Sequence, residues 1–186
     1  MTATKETIIQ LGDILIRQKG YNAFSYQNIS KPLGVKNAAI HYHFPTKTDL
    51  LISVIQFQIQ KFEVFIKEVS GLNEPEQVRH FLEIYTDAFC NNSVCFVGAM
   101  ATDWDTVDEE AKPHMKKMAS GIYEWLTNTL ENGLQKGLLS FNEPPATKAL
   151  LIITNMMAAT QLGRILGTDS FDTLKQAVLN SINPNK

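Results

Sequence analysis

The stretch Tyr26-Gln-Asn-Ile-Ser-Lys-Pro-Leu-Gly-Val-Lys-Asn-Ala-Ala-Ile-His-Tyr-His-Phe44 decides the fold. It carries two short helical patterns on either side of Gly34. Two short helices that cross at a steep angle need a tight turn, which glycine makes without strain. Ile29 and Leu33 then face inward from the first helix, and Val35 and Ile40 from the second. Ser30 supplies the small residue needed where they touch. Pro32 departs from the pattern, because it removes a donor and tightens the last turn of the first helix.

The second helix presents Lys36, Asn37, Ala38, Ala39, His41, Tyr42 and His43. If it enters the major groove, Ala38-Ala39 allows deep approach and offers methyl groups to thymine. Asn37 can pair with adenine, and Lys36 can reach guanine or a phosphate. Ser25, Tyr26 and Lys47 stand at helix starts, where side chains and free N–H groups suit phosphate oxygens. His41 and His43 are two apart and diverge on a helix, and Cys90 and Cys95 form no CxxC. The expectation is therefore no metal and no cofactor, with the cysteines read as small half-buried apolar side chains.

Around this segment the chain has 186 residues, enough for one domain or two small helical lobes. An apolar share of 44% with 19% charged residues excludes a disordered chain. The net charge of −2 hides a split. Residues 1–50 hold six Lys or Arg against three Asp or Glu, so the basic excess sits with the helix-turn-helix and the remainder is acidic. The start lacks the uncharged core of a signal peptide, and no run reaches ~18 apolar residues, so the expected place is the cytoplasm, away from membranes. With no GxSxG, HExxH, phosphate-binding glycine loop or paired strand-end carboxylates, an enzyme is not expected.

The periodicity is helical nearly throughout and predicts an all-α chain of about nine helices. Gly20 ends the first, Ser25 caps the second, and the third fits Lys36 to His43. Thr46-Lys-Thr-Asp49 resembles a capping box and opens a long fourth. Glu74-Pro75 begins a fifth, and a short sixth covers Val94 to about Thr102. Thr106-Val-Asp-Glu109 predicts the start of a seventh, unless Pro113 moves it downstream. Asn142-Glu-Pro-Pro145 leads into an eighth, and Asp169-Ser170 caps a ninth.

From Ala149 to Gly163 there is no charged residue, and apolar side chains lie all round the helix. Such a helix must be covered on every side, by its own fold or by a partner. Ala158, Ala159 and Gly163 allow close approach and favour a subunit interface. Leu151, Thr154, Ala158 and Leu162, with Leu174 and Val178 of the last helix, are the residues expected there. The acidic run from Asp103 to Glu110 reads as a solvated loop feeding a helix N-terminus.

Gly20-Tyr-Asn-Ala-Phe-Ser25, Ile29-Ser30, Leu33-Gly34-Val35, Ile40-His-Tyr-His-Phe44 and Lys47-Thr-Asp-Leu-Leu51 together resemble the N-terminal signature of TetR-family transcriptional regulators. The resemblance implies an all-helical homodimer. Its N-terminal three-helix helix-turn-helix lobe would be residues 1–50, and a larger effector-binding and dimerisation lobe residues 51–186. It assigns Ser25, Tyr26 and Gln27 to DNA contact at a helix start, and Asn37, Ala38 and Ala39 to bases. Tyr42, His43 and Lys47 match backbone-contacting positions, while His41 stands where the family usually has tyrosine. The implied function is a repressor released from a palindromic operator on double-stranded DNA by a small, mostly apolar ligand. The ligand's pocket would draw on Phe62, Phe65, Tyr85, Phe89, Met100, Trp104, Met118, Ile122, Trp125 and Asn155, residues that otherwise simply fill a core. The alternatives are a helix-turn-helix kept for protein contacts, or a regulator sensing through Cys95.

Overall fold

The computed structural model describes residues 4–183, so the outermost ends of the two expected lobes lie outside the described residues. Nine α-helices and one 3₁₀ turn are formed among them, with no strand. They are α1 (Lys5–Lys19), α2 (Tyr26–Leu33), α3 (Asn37–His43), α4 (Lys47–Val69), α5 (Glu74–Cys90), α6 (Phe96–Thr102), α7 (Lys112–Gln135), α8 (Pro145–Leu166) and α9 (Thr168–Asn180). The all-α fold of about nine helices is as expected.

Most boundaries follow from local chemistry. The Thr4 hydroxyl accepts the Thr7 N–H and caps α1. Gly34 sits at φ 65°, in the left-handed region, and ends α2. The Gly34 and Val35 N–H groups bond back to Lys31 and Ser30 carbonyls, so the turn closes despite Pro32. At the head of α4, Thr46 and Asp49 form the reciprocal cap their spacing predicts. The Thr46 N–H donates to the Asp49 carboxylate at 2.9 Å, and the Asp49 N–H to the Thr46 hydroxyl at 3.1 Å. These bonds hold the Asp49 carboxyl below its usual range.

Two helix starts differ from the sequence reading. Thr106 does not cap a helix with Glu109. Its hydroxyl donates to the Asp103 carbonyl within the 3₁₀ turn Trp104–Thr106, and α7 begins at Lys112. Pro113 then lies in the first turn, where a missing N–H costs nothing. Likewise α9 starts one residue before the expected Asp169-Ser170 cap, because Gly167 at φ 96° turns the chain directly out of α8.

The chain forms two compact units, which divide it differently from a cut at residue 50. The first takes the chain through Lys61 together with Phe96–Met118. Ile8, Ile16, Ile29, Ile40, Leu50, Leu51, Val54 and Ile55 of this unit are fully buried. Each such side chain contributes roughly 1.5–3 kcal/mol. Buried Asp13 on α1 accepts Arg17 Nη2 at 2.8 Å and Gln58 Nε2 at 2.6 Å, tying α1 to α4.

The second unit comprises Phe62–Cys95 and the chain from Ala119 onward. Its core is built from Val78, Phe81 and Leu82 of α5, Leu126 and Leu130 of α7, Ala149, Ile152 and Met156 of α8, and Phe171 and Val178 of α9. The expectation that α8 is covered on every side is not met within the chain. One face (Ala149, Ile152, Met156, Ala159, Gly163) is buried, while Leu150, Leu151, Leu162, Ile165 and Leu166 stand exposed. Gly163 serves close packing inside the unit rather than an outer face. A Cβ there would lie 2.7 Å from the Phe89 ring, which stacks on Phe171 at 4.5 Å.

Candidate nucleic-acid interface

The α3 helix presents what its sequence promised, with qualifications set by hydrogen bonding. Lys36, Asn37, Ala38, His41 and Tyr42 are exposed, and Ala39 and His43 half-buried. Tyr42 is 84% exposed, so its aromatic ring has no part in the core. Ile40 alone on this short helix is buried and anchors it. Ser25 and Gln27 at the start of α2 are exposed, and the Ser25 N–H donates to Asn28 Oδ1 at 2.8 Å. Lys31 and Lys36, flanking the turn, are both exposed. Cations, amides and hydroxyls arranged in this way on a helix-turn-helix suit a polyanion with readable base edges.

Two of the expected contact residues, Tyr26 and Lys47, are committed to the fold, and two more, Asn37 and His41, are exposed but partly engaged. The buried Tyr26 hydroxyl lies 2.9 Å from the Phe44 carbonyl and 2.5 Å from the Thr46 carbonyl, donating its proton there. It therefore pins the start of α2 to the α3–α4 turn rather than reaching outward. Burial, with Asp49 and Tyr21 nearby, pushes its phenol up to about 12. Lys47 donates to the Tyr21 carbonyl at 2.5 Å and the Phe24 carbonyl at 2.7 Å. Its ammonium also lies 4.5 Å and 4.3 Å from the centres of those residues' rings. Burial lowers the Lys47 ammonium, and the Asp103 carboxylate opposes that shift. Asn37 accepts the Ser30 hydroxyl at 2.5 Å, which uses part of its amide oxygen and fixes its orientation. His41 sits edge-on to Tyr26 at 4.7 Å, with Nδ1 3.3 Å from the Pro45 carbonyl.

The positioning of Tyr26 is testable. Tyr26→Phe leaves two carbonyls without their hydroxyl and is expected to cost about 1–2 kcal/mol in denaturant unfolding. A raised phenol pKa means the folded state keeps its proton while the unfolded chain loses it. The hydroxyl's stabilisation is thus complete below about pH 10 and lost as pH rises through about 12. Melting curves across that window are expected to fall more steeply for the native chain than for Tyr26→Phe.

The sequence reading missed Asp103. Its carboxylate accepts the Tyr21 N–H at 2.7 Å, the Asn22 N–H at 3.3 Å and Asn22 Nδ2 at 3.0 Å. Asn22 Nδ2 also donates to the Thr106 hydroxyl at 2.7 Å. Asp108, from the same acidic run, accepts the Thr48 hydroxyl at the head of α4. Asp103 braces the α1–α2 loop that holds Lys47, Asp108 engages the head of α4, and neither carboxylate is merely solvated. The one signal in the sequence was Gly20, whose turn leaves the following amides without helical partners.

The other expected site residues separate. Phe62, Phe65 and Tyr85 gather with Trp125 in the second unit, and Ile122 packs against the same core. Phe89 is stacked on Phe171 instead. Met100, Trp104 and Met118 belong to the other unit. Asn155 is exposed on α8, its amide donating to the Leu151 carbonyl, so it lines no core. Leu151, Thr154, Ala158 and Leu162 share that exposed face. Leu174 is half-buried against the core and Val178 lies inside it, so Val178 is not at an outer surface. Cys90 is exposed and Cys95 half-buried, and the two are not joined by a disulfide.

Comparison with known proteins agrees with this geometry. Residues 8–54 match the family model for bacterial regulatory proteins of the tetR family. The repressor NemR of Escherichia coli K12 is 21% identical over 181 residues, covering 94% of this chain and 90% of that protein. A TetR-family regulator from Agrobacterium tumefaciens superposes with a TM-score of 0.89 at 26% identity, over 96% of this chain and 97% of the other. A TetR regulator from Legionella pneumophila gives 0.87 at 30% identity, over 98% and 99%. With a helix-turn-helix of this build and a full-length relative of this similarity, the chain belongs to the TetR family of transcriptional regulators.

Proposed function

We propose that this protein is a sequence-specific repressor that binds a palindromic operator as a homodimer and is released by a small, mostly apolar ligand. The observation that carries the reading is the exposed α3 face, Lys36 to Tyr42, on a helix-turn-helix braced from behind by Tyr26, Lys47 and Asp103. Ser25, Gln27, Lys36 and Tyr42 approach phosphates, and Asn37, Ala38 and Ala39 approach base edges. Tyr26 and Lys47 act through the fold by holding α2 and the α1–α2 loop in place.

The same reading gives the exposed α8 stripe its role. Leu151, Thr154, Ala158, Leu162 and Ile165 recur at helical spacing on the face turned away from the core, and a second copy of the chain covers them. Two lobes then bind one duplex, compensating for the modest basic excess of each. The effector site rests on Phe62, Phe65, Tyr85, Ile122 and Trp125. The effector must favour the DNA-incompetent conformation, since a ligand binding both equally shifts nothing.

The test is binding to duplex DNA flanking the protein's own gene, measured over a salt series. Submicromolar affinity that falls steeply with salt is expected, through release of counterions from the contacted phosphates. Lys36→Ala is expected to reduce the salt slope by about one while leaving the dimer intact. No binding, or a flat salt response, refutes the reading and leaves a helix-turn-helix used for protein contacts.

A further inference from the structure

Two polar side chains meet across the turn between α2 and α3. Ser30 of α2 is only 4% exposed, and its hydroxyl lies 2.5 Å from Oδ1 of Asn37, the first residue of α3. That separation suits a hydroxyl donating to an oxygen and is too short for an amide N–H donating to one. The end of the amide held by Ser30 is therefore its oxygen. Ser30 is enclosed while Asn37 is exposed, so the oxygen is tethered to the helix behind it. The Nδ2 group is the end left without a partner among the described residues. Next to it Ala38 and Ala39 offer only methyl groups.

We propose that Asn37, held by Ser30, is a specificity-determining residue that reads guanine rather than adenine in the major groove. This rests on the DNA-binding reading above and names the base at one position of that interface. The common pairing of asparagine with adenine needs both ends of the amide at once, the oxygen accepting from N6 and the nitrogen donating to N7. Here the oxygen is turned to Ser30, and the amide offers the groove a pair of N–H donors. Guanine meets such a group with two acceptors, N7 and O6. Adenine sets an N6 donor beside its N7 and opposes the amide, and cytosine presents a donor alone. Thymine, with one O4 acceptor, ranks second. Ser30 is a positioning residue, since it touches no base and acts through Asn37.

Selection from a pool of randomised duplexes, made with the native protein and with Asn37→Ala, finds the base pair whose preference disappears in the variant. Four duplexes differing only at that pair, changed in both half-sites, are then titrated by fluorescence anisotropy at one salt concentration. The native protein is expected to bind the guanine duplex about tenfold more tightly than the adenine duplex. Ser30→Ala releases the amide oxygen and is expected to bring the two affinities together. Asn37→Asp keeps the bond from Ser30 on one oxygen and turns an acceptor outward. Its best duplex is expected to become the cytosine one, with all four weakened by repulsion from phosphates. This exposed position tests the inference without relying on a change at the buried Ser30. A native preference for adenine, a guanine-to-adenine ratio unmoved by Ser30→Ala, or an Asn37→Asp protein that still favours guanine overturns the inference. So does the absence of any base position that responds to Asn37→Ala, which places Asn37 on a phosphate. In each of these cases a selected sequence exists and the DNA-binding reading stands. A pool from which the native protein enriches nothing refutes that reading and the inference together.

Discussion

Leu162→Glu combined with Ile165→Glu is expected to convert the protein to monomers and to weaken operator binding by about 10²–10⁴-fold. The two residues are 44% and 80% exposed on the outer face of α8, so the charges disturb no core of the chain itself. Glutamates facing a second copy would place desolvated like charges in an apolar contact, which costs far more than the lost burial. Binding of one lobe would survive, because the helix-turn-helix is untouched, but the gain from two lobes on one duplex would vanish. Sedimentation and operator titration check both halves, with an unchanged helical signal by circular dichroism. A double variant that remains dimeric and binds DNA normally would remove α8 from the interface.

Asp103→Ala is expected to weaken operator binding by tenfold or more and to lower the melting point, with no effect on the oligomeric state. Three N–H donors from Tyr21 and Asn22 lose a charged acceptor, a loss of about 1.5–3 kcal/mol per well-formed bond in favourable settings. The consequence reaches further than the loop. The Tyr21 and Phe24 carbonyls that hold Lys47 sit on the same loop, and Ser25 directly follows it at the start of α2. Loosening the loop therefore loosens the frame on which α2 and α3 are presented. Asp103→Asn keeps one acceptor oxygen without the charge and is expected to fall between the two. Equal affinity and equal melting in Asp103→Ala would refute the bracing role.

Asp103 also shows why some of the site was legible and some was not. Its partners lie 81 and 82 residues away, so nothing in the run Asp103-Trp-Asp-Thr106 distinguishes a brace from a solvated acidic loop. The cap at Thr46 and Asp49 spans three residues and was readable, because chain connectivity alone brings the partners together. The Thr106–Glu109 pattern has the same spacing, yet no cap formed. There the local preference met a competing bond from Asn22 and a turn that ends before Pro113. Tyr26 and Lys47 were correctly placed at helix starts, but their direction was decided by carbonyls 18 to 26 residues distant.

The sequence by itself determined the helices, the reversal at Gly34, the apolar residues that anchor α2 and α3, and the family signature around them. All of these depend on backbone preferences and on periodicities within a few residues, which a chain carries wherever it is placed. Tertiary structure alone decided which polar side chains of the helix-turn-helix stayed exposed. It spent Tyr26 and Lys47 internally and left Lys36 and Tyr42 outward. It also decided that α8 has an open face while Gly163 and Val178 are enclosed. The physical reason is common to these cases: an apolar group gains by being covered and a polar group can be buried only where it is hydrogen-bonded, and distant segments supply the cover or the partner only once the chain has folded.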